Sequence, residues 1–359
     1  MEKDIRYFTI LLIGTVTALL ANYYWVTLDL GDWPCDKLLC KVRSRLRKTG
    51  QQVFVGDRVE VQEPDWEGGR GAIARILPRT SSLDRPAVAN ADQVLLVVST
   101  QQPAFEPLVL SRFLNLVEHS GLKALVCINK VDLVDAQQEQ EILAQVNRWG
   151  YQGFAVSALE QRGFDALETA FQGSITVLAG PSGVGKSSLL NRLCPSLTLR
   201  TGEVSDYMGK GKHTTRHVEL FALPKGGYVA DTPGFSQLEL SCDPQQVAHL
   251  FPEFRPYVAD CRFRDCLHRD EPDCALRQAN LERHEYYLDA LKEAGQKWQI
   301  QSATADAESV EKVLSQASGS KAIPKLKSIH RAQSKRTGRQ KLAAHAGQIW
   351  VEEDADGED

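Results

Sequence analysis

The chain has 359 residues, of which 43% are hydrophobic and 25% are charged, and its formal net charge is −4 at pH 7. This composition is ordinary for a soluble globular protein and excludes collagenous, wholly disordered and polytopic membrane proteins. At roughly 150 residues per domain, the length predicts two or three domains.

The first predicted elements are short strands. Residues 13–80 are rich in β-branched residues and are broken by turns containing Gly or Pro, which predicts a small β-barrel after an N-terminal extension of residues 1–12. Val59 and Val61 flank Glu60, the period of two that is typical of a half-exposed strand. The apolar run from Phe8 to Trp25 is interrupted by Thr, Gly and Asn residues. We interpret it as a buried strand, with a membrane anchor as the alternative.

Residues 81–242 alternate between predicted strands and helices. The apolar runs DQVLLVVST and LKALVCI flank a predicted helix from Pro107 to Ser120, and SITVLAG follows a second helix around Phe164 to Phe171. Strand, helix and strand in succession imply parallel pairing. The middle of the chain is therefore predicted to be a doubly wound α/β domain.

The strand SITVLA leads directly into a phosphate-binding loop. The loop matches G-x-x-x-x-G-K-[ST] and is followed by a predicted helix, as this motif requires. Its glycines let backbone N–H groups converge on phosphate oxygens, Lys186 reaches the outer phosphates and is a candidate catalytic residue, and Ser187 offers a hydroxyl to Mg²⁺. The predicted nucleotide-binding residues here are Gly180, Pro181, Ser182, Gly183, Val184, Gly185, Lys186, Ser187 and Ser188.

Two further strand ends carry nucleotide-site motifs. The segment DTPG places Asp231 where a carboxylate can hold Mg²⁺ through water, and Gly234 where an amide can sense a γ-phosphate. The segment NKVD supplies Asn129, Lys130 and Asp132. A carboxylate at position 132 can accept hydrogen bonds from the guanine N–H and amino groups, which adenine does not offer, so the pattern predicts GTP rather than ATP. The predicted second contact to the base is made by Ser157 and Ala158.

The order of these motifs is permuted. In an ordinary Ras-like chain the base-reading motifs come last, but here NKVD and SAL precede the phosphate loop and DTPG comes last. A nucleotide site needs only spatial proximity, and joining termini that lie close together leaves the sheet intact. The sequence therefore predicts a circularly permuted GTPase domain.

The segment GKGKHTTRHVEL lies between the phosphate loop and DTPG. Thr214 or Thr215 can coordinate Mg²⁺ when GTP is bound, which would order the segment as a switch; the alternative is a flexible basic loop. Phe235 stands where Ras-like enzymes have a Gln that orients water, so unassisted hydrolysis is expected to be slow. His213 is the candidate catalytic substitute, or an exposed loop residue.

A compact Cys/His cluster follows the α/β domain. Three thiols and one imidazole within 14 positions have the number and softness that a structural, tetrahedral Zn²⁺ site prefers. The predicted ligands are Cys261, Cys266, His268 and Cys274. The other five cysteines show no disulfide spacing, which favours a reducing, cytoplasmic location.

The C-terminal part is predicted as a zinc-binding domain over residues 243–345, followed by an acidic tail over 346–359. Residues 281–298 mix apolar and charged positions at helical spacing, whereas Ser302 to Ser320 fits a surface helix or a flexible segment. A basic run then favours contacts with a phosphate backbone, the alternative being a solvated tail. Its basic residues are Lys321, Lys325, Lys327, Arg331, Lys335, Arg336, Arg339 and Lys341.

The succession NKVD, SAL, GPSGVGKSS, HTT and DTPG, followed by C-x₄-C-x-H-x₅-C, resembles the family of small ribosomal subunit biogenesis GTPases, RsgA (also called YjeQ). The resemblance extends from about residue 14 to residue 341. It implies an N-terminal OB-fold β-barrel, a central circularly permuted α/β P-loop GTPase domain and a C-terminal, mainly helical zinc-binding domain. It also matches Phe235 to the apolar residue that the family has in place of the water-orienting Gln, and His213 to its switch histidine.

The resemblance further implies function and partners. Members of the family bind the small ribosomal subunit and its rRNA, assist its late maturation, and hydrolyse GTP faster when bound to it. We therefore expect GTP or GDP with Mg²⁺, one structural Zn²⁺, a cytoplasmic monomer and no stable membrane association. The alternatives are a regulatory GTP switch for a non-ribosomal partner, anchored to the membrane through residues 8–25, and an RNA-binding module with an inactive nucleotide site.

Overall fold

The structure is a computed structural model, and it describes residues 12–29, 31–84, 87–195, 197, 218–231, 240–308, 311–316 and 319–324. The chain divides into two compact units, Met1–Gly295 and Gln296–Asp359. The barrel, the α/β domain and the Cys/His cluster all belong to the first unit.

The N-terminal region is a closed five-stranded barrel. Strand β1 pairs with β2 and β4, β2 with β3, and β4 with β5, all antiparallel, while β3 and β5 run parallel and complete the circle. This is the strand order of an OB-type barrel. A short helix, α1, follows β3. The elements are β1 (Leu12–Leu20), β2 (Tyr23–Leu28), β3 (Lys37–Val42), α1 (Ser44–Lys48), β4 (Arg58–Asp65) and β5 (Arg70–Ile76).

The apolar run at the N-terminus forms a hairpin rather than one strand. Strand β1 ends at Leu20 and β2 begins at Tyr23, with Val16 and Val26 fully buried against the barrel core. Gly14 allows the two strands to approach, because a Cβ there would lie 2.5 Å from the carbonyl oxygen of Thr27. Residues 1–11, which carry the predicted extension, lie outside the described residues. Within the described part of the chain, no helix combines the length and hydropathy that crossing a bilayer requires.

The end of the barrel contains a buried carboxylate, next to a close backbone contact with the following hairpin. Asp57 is fully buried and accepts hydrogen bonds of 2.7 and 2.8 Å from the guanidinium of Arg79. The neighbouring Gly56 has φ 92° and meets the carbonyl of Ala89 so closely that a Cβ would lie 2.0 Å from its oxygen. Residues 55–59, with the sequence VGDRV, therefore connect the barrel to the hairpin that follows it. The linking hairpin consists of β6 (Ser82–Asp84) and β7 (Ala87–Ala89).

The central domain is a six-stranded sheet with the strand order β10-β9-β8-β11-β13-β12. All pairs are parallel except β12 with β13, so the carboxyl ends of the five parallel strands lie at one edge. Ligands bind at this edge in open α/β sheets. The elements are β8 (Gln93–Ser99), α2 (Pro107–Ser120), β9 (Lys123–Asn129), α3 (Ala136–Arg148), β10 (Gln152–Ala155), α4 (Phe164–Phe171), β11 (Ile175–Ala179), α5 (Lys186–Leu193), β12 (Glu219–Ala222) and β13 (Tyr228–Asp231).

The two sheets are continuous. Ala18 of β1 pairs antiparallel with Glu219 of β12, so barrel and central sheet form one eleven-stranded arrangement.

The Cys/His region packs its own apolar core, which includes Phe251, Phe254, Leu276 and Tyr287. It contains 3₁₀ segments and helices. The elements are the 3₁₀ segments Pro244–Leu250 and Pro252–Phe254, then α6 (Arg255–Val258), α7 (Ala275–Gln278) and α8 (His284–Glu308). The sequence left residues 302–320 as either a surface helix or a flexible segment. In the structure α8 extends to Glu308 and is followed by the antiparallel pair β14 (Glu311–Gln316) and β15 (Gly319–Pro324).

Candidate nucleotide and metal sites

The phosphate loop connects β11 to α5, as the motif predicts. Gly180 has φ 138°, and a Cβ there would lie 2.1 Å from the carbonyl oxygen of Val97. Gly185 has φ 96°, and a Cβ there would lie 2.4 Å from Nδ2 of Asn129. Both positions therefore require glycine, for backbone conformation and for space.

Lys186 is the first residue of α5, and its ammonium reaches back over the loop. Nζ donates to the carbonyl oxygens of Gly180 at 2.9 Å and Pro181 at 2.6 Å. The charge is thus held at the start of the loop, where a phosphate-binding lysine is expected to act.

Two side chains of the NKVD segment bind the phosphate loop directly. Nδ2 of Asn129 donates to the carbonyl oxygen of Val184 at 2.9 Å, while its Oδ1 lies 3.4 Å from the amide nitrogen of Ala158. Lys130 adopts a left-handed backbone with φ 61°, and its Nζ donates to the carbonyl oxygen of Gly183 at 2.8 Å. Segments far apart in the chain are therefore brought into one site.

Asp132 is oriented by the second base-reading segment. Its Oδ1 accepts a hydrogen bond from Oγ of Ser157, which in turn accepts the N–H of Glu160 at 3.0 Å. Ser157 and Arg162 exchange two backbone hydrogen bonds of 3.1 Å, which closes the loop between them. The carboxylate is fixed on one side, and its remaining acceptor capacity is available to a ligand.

The magnesium and switch residues are only partly described. Strand β13 ends at Asp231, which pairs with Leu178, two positions before Gly180, so its backbone lies beside the phosphate loop. The side chain of Asp231 lies outside the described part of the structure. The other residues predicted for magnesium binding and the switch also lie outside it, namely His213, Thr214, Thr215, Gly234 and Phe235.

Sequence reasoning missed the loop that follows β8. Ser99 Oγ donates to the carbonyl oxygen of Pro103 at 2.7 Å, and Thr100 Oγ1 donates to that of Lys130 at 2.6 Å. Nζ of Lys130 also donates to the carbonyl oxygen of Gln102. The available signal was the polar STQQP segment, which falls at the carboxyl end of a buried parallel strand.

The four predicted metal ligands converge. Their ligand atoms all lie within 4.8 Å of one another. Sγ of Cys261 is 3.3 Å from Nδ1 of His268 and 3.8 Å from Sγ of Cys274, and that Sγ is 3.4 Å from the same Nδ1. With bonds of about 2.3 Å to sulfur, a tetrahedral Zn²⁺ separates two thiolates by about 3.8 Å. Cys266 completes the four-ligand set, which fits a metal ion such as zinc.

Burial shifts the pKa values of two of the four ligands, Cys266 and His268. Burial raises the pKa of the Cys266 thiol to about 12 and lowers the pKa of His268. A neutral imidazole is the ligating form, and a coordinated cation stabilises the thiolate that burial disfavours. The donor set and its burial are therefore suited to a cation.

Three side chains, those of Tyr287, His284 and Glu271, hold the backbone of the ligand segment, residues 261–274, in place. Tyr287 donates its hydroxyl proton to the carbonyl oxygen of Leu267, and Nε2 of His284 lies 3.0 Å from the carbonyl oxygen of His268. His284 is half-buried. Glu271 accepts backbone N–H bonds of 2.9 Å from Leu267 and 2.8 Å from Arg269.

Comparison with known proteins places the chain in a family. A family model described as RsgA GTPase matches residues 76–241. A protein of Trichormus variabilis named small ribosomal subunit biogenesis GTPase RsgA is 49% identical over 350 residues, covering 91% of this chain and 94% of that protein. The chain belongs to the RsgA GTPase family. A Microcystis aeruginosa member with the same name is 48% identical over 79% of each chain.

Solved structures of the RsgA family share the fold. The crystal structure of YjeQ from Thermotoga maritima is 34% identical with a TM-score of 0.67, covering 79% of this chain and 98% of that one. The crystal structure of YloQ, described as a circularly permuted GTPase, is also 34% identical, with a TM-score of 0.68 and coverage of 81% and 98%. The predicted permuted GTPase domain, the OB-type barrel and the family are confirmed, and membership makes the chain a GTP hydrolase.

Proposed function

We propose that the chain hydrolyses GTP while assisting the late maturation of the small ribosomal subunit, and that hydrolysis is stimulated by the subunit and coupled to release. The observation that carries the proposal is the bonding of Asn129 and Lys130 to the phosphate loop at Val184 and Gly183. This contact supports a single site that spans base and phosphates. The relatives named for small ribosomal subunit biogenesis support the choice of partner.

Each nucleotide contact has a proposed role. Asp132 accepts the guanine N–H and amino protons, and Ser157 orients that carboxylate. The amide of Ala158 faces Oδ1 of Asn129. Residues 180–188 bind the phosphates, and Lys186 stabilises the charge that develops on them during hydrolysis. Ser187 and Asp231 would hold the Mg²⁺ that accompanies GTP, and the ion would neutralise charge on the phosphates.

The switch roles rest on the sequence. Thr214 or Thr215 would complete the Mg²⁺ coordination, Gly234 would donate its N–H to the γ-phosphate, and His213 would orient the attacking water. Slow turnover without the subunit follows from Phe235, whose side chain cannot hydrogen-bond water.

The barrel offers a surface suited to RNA. Trp25 and Leu39 are paired across β2 and β3, and the neighbouring Tyr23 lies 4.9 Å below the ammonium of Lys41. Trp25 is 36% exposed. OB barrels bind nucleic acids on this pair of strands, with aromatic rings for bases and cations for phosphates. The basic residues between 321 and 341 favour a separate contact with an RNA phosphate backbone.

We assign one structural Zn²⁺ to Cys261, Cys266, His268 and Cys274, whose four ligand atoms close the coordination sphere. We also propose the domain boundaries 13–80, 81–242 and 243–345, a cytoplasmic location, a monomeric state and no stable membrane association. Size exclusion and cell fractionation test the last three assignments.

The decisive experiment compares hydrolysis of GTP and ATP with and without purified small subunits. We expect GTP alone to be hydrolysed, with clear stimulation by subunits. A subunit-independent rate would contradict the ribosomal assignment and favour another partner. Lys186→Ala should abolish stimulated turnover, while Lys123→Ala, an exposed residue at the start of β9, should behave as wild type. Unchanged turnover in Lys186→Ala would contradict the catalytic assignment.

A further inference from the structure

Arg283 connects the Cys/His region to the central domain. Its side chain is fully buried, and it immediately precedes α8. Nε donates to Oγ of Ser111 and a terminal nitrogen donates to Oδ1 of Asn115, both at 3.1 Å and both on α2. The other terminal nitrogen lies 3.3 Å from each carboxylate oxygen of Glu253. A guanidinium removed from water therefore lies between the two regions.

Aromatic rings enclose the same guanidinium. Its Cζ lies 4.3 Å from the ring centroid of Phe251 in the Cys/His region, and 4.9 Å and 5.9 Å from those of Trp149 and Tyr151 in the central domain. A buried cation is costly unless it is paired and hydrogen-bonded, so few other packings of the two regions would satisfy it. The docking is consequently specific rather than free to slide.

The helix that Arg283 binds leads to the nucleotide site. Ser111 lies four residues after Pro107, where α2 begins, a distance of about one helical turn. The loop before α2 is bonded to Lys130 through Thr100 and Gln102. A displacement of α2 would therefore be felt by the base-reading segment.

The same loop borders the phosphate loop. A Cβ on Gly183 would lie 3.5 Å from Cδ of Pro103, and the carbonyl of Gly183 accepts the ammonium of Lys130. Four links in succession thus join Arg283 to the phosphate loop: guanidinium to α2, α2 to the loop that precedes it, that loop to Lys130, and Lys130 to Gly183.

We propose that Arg283 is a positioning residue for the nucleotide site. By fixing α2, it holds the loop before α2 against Lys130 and the phosphate loop, so that docking of the Cys/His region and nucleotide affinity are coupled. Coupling of this kind is reciprocal, and bound nucleotide would tighten the docking by the same factor. The inference rests on the proposed nucleotide site.

The test measures the release rate of a fluorescent GDP analogue from full-length variants, together with their unfolding temperatures. Arg283→Met and Asn115→Ala should release the analogue about 3- to 10-fold faster than wild type at a temperature where each is folded. Asn115→Asp keeps an acceptor for the guanidinium and should restore slow release. Arg112→Ala is the matched control on the same helix, because it removes an exposed ion pair of 3.0 Å with Glu293 across the same boundary.

A purely structural role predicts a different result. If Asn115→Ala lowers the unfolding temperature but releases the analogue at the wild-type rate, the coupling is refuted, and Asn115→Ala decides the matter where Arg283→Met does not fold. Equal acceleration by Arg112→Ala would also refute it, because the effect would belong to the whole boundary. Failure of wild type to bind the analogue at all would instead count against the nucleotide site itself.

Discussion

The side-chain amide of Asn129 donates a hydrogen bond of 2.9 Å to the carbonyl oxygen of Val184, across 55 positions of sequence. Asn129 is almost completely buried, and its other amide atom faces Ala158. One side chain therefore holds the phosphate loop and both base-reading segments in a fixed relation.

Replacing Asn129 by Ala should weaken GDP binding by roughly 5- to 150-fold, because a buried carbonyl left without its donor costs about 1–3 kcal/mol. Calorimetric titration with GDP measures the loss. Asn147→Ala, at an exposed position near the end of α3, should bind as wild type. Equal affinities for wild type and Asn129→Ala would show that the bond does not organise the site.

Replacing Asp132 by Asn should change the base preference. The carboxylate accepts protons from guanine, whereas an amide can donate to the oxygen that xanthine carries in place of the amino group. We expect GTP affinity to fall at least about 100-fold while xanthosine triphosphate becomes the better ligand. Competition between the two nucleotides is the measurement, and a parallel loss of both would point to a folding defect.

Replacing Cys266 by Ser should release the metal and destabilise the Cys/His region. A hydroxyl is a poor ligand for Zn²⁺, and the binding free energy of a structural ion is part of the folding free energy. Zinc content should fall from one per chain towards zero, and the unfolding temperature should drop by roughly 5–15 °C. Cys35→Ser, outside the cluster, is the control and should keep its zinc.

Glu271 makes stability depend on pH. Burial acts to raise its pKa, but hydrogen bonds from the backbone N–H groups of Leu267, Arg269 and Asp270 prevail and lower the pKa to about 2. The stabilisation is therefore complete above pH 4.5, the ordinary value, and is lost as the pH falls towards 2.

Comparing Glu271→Gln with wild type isolates this contribution. The difference in unfolding free energy should be constant from pH 8 to 5 and should shrink below about pH 4.5. Glu67→Gln, at an exposed position of the barrel, should show no such difference. A difference that grows on acidification would contradict the assigned role of the carboxylate.

The sequence predicted those parts of the site in which one residue type is chemically required. Gly180 and Gly185 need their conformations, Lys186 its charge, and the Cys/His ligands their spacing, so each leaves a local signal. The barrel and the permuted order could also be predicted, because strand periodicity and each motif can be recognised within a short stretch, and the order of the motifs follows from their positions in the sequence.

Contacts across domains could not be predicted in this way. Arg283 reads in the sequence as one more charged residue before a helix, and nothing near it indicates that Ser111 and Asn115 lie 172 and 168 positions away in sequence and within hydrogen-bonding distance. Likewise, the pairing of Ala18 with Glu219 depends on how the barrel and the central sheet pack against each other, and no local sequence pattern indicates this.

The permuted order has a mechanical consequence. The central domain is entered through β8 and left through β13, and these two strands flank β11, which carries the phosphate loop. Tension carried along the chain between the barrel and the Cys/His region therefore enters at the amino end of β8 and leaves at the carboxyl end of β13. It loads the parallel ladders on both sides of β11 in shear, with many hydrogen bonds sharing the force. If the barrel and the Cys/His region bound the same partner, the nucleotide site would thus lie on the path along which force passes between them.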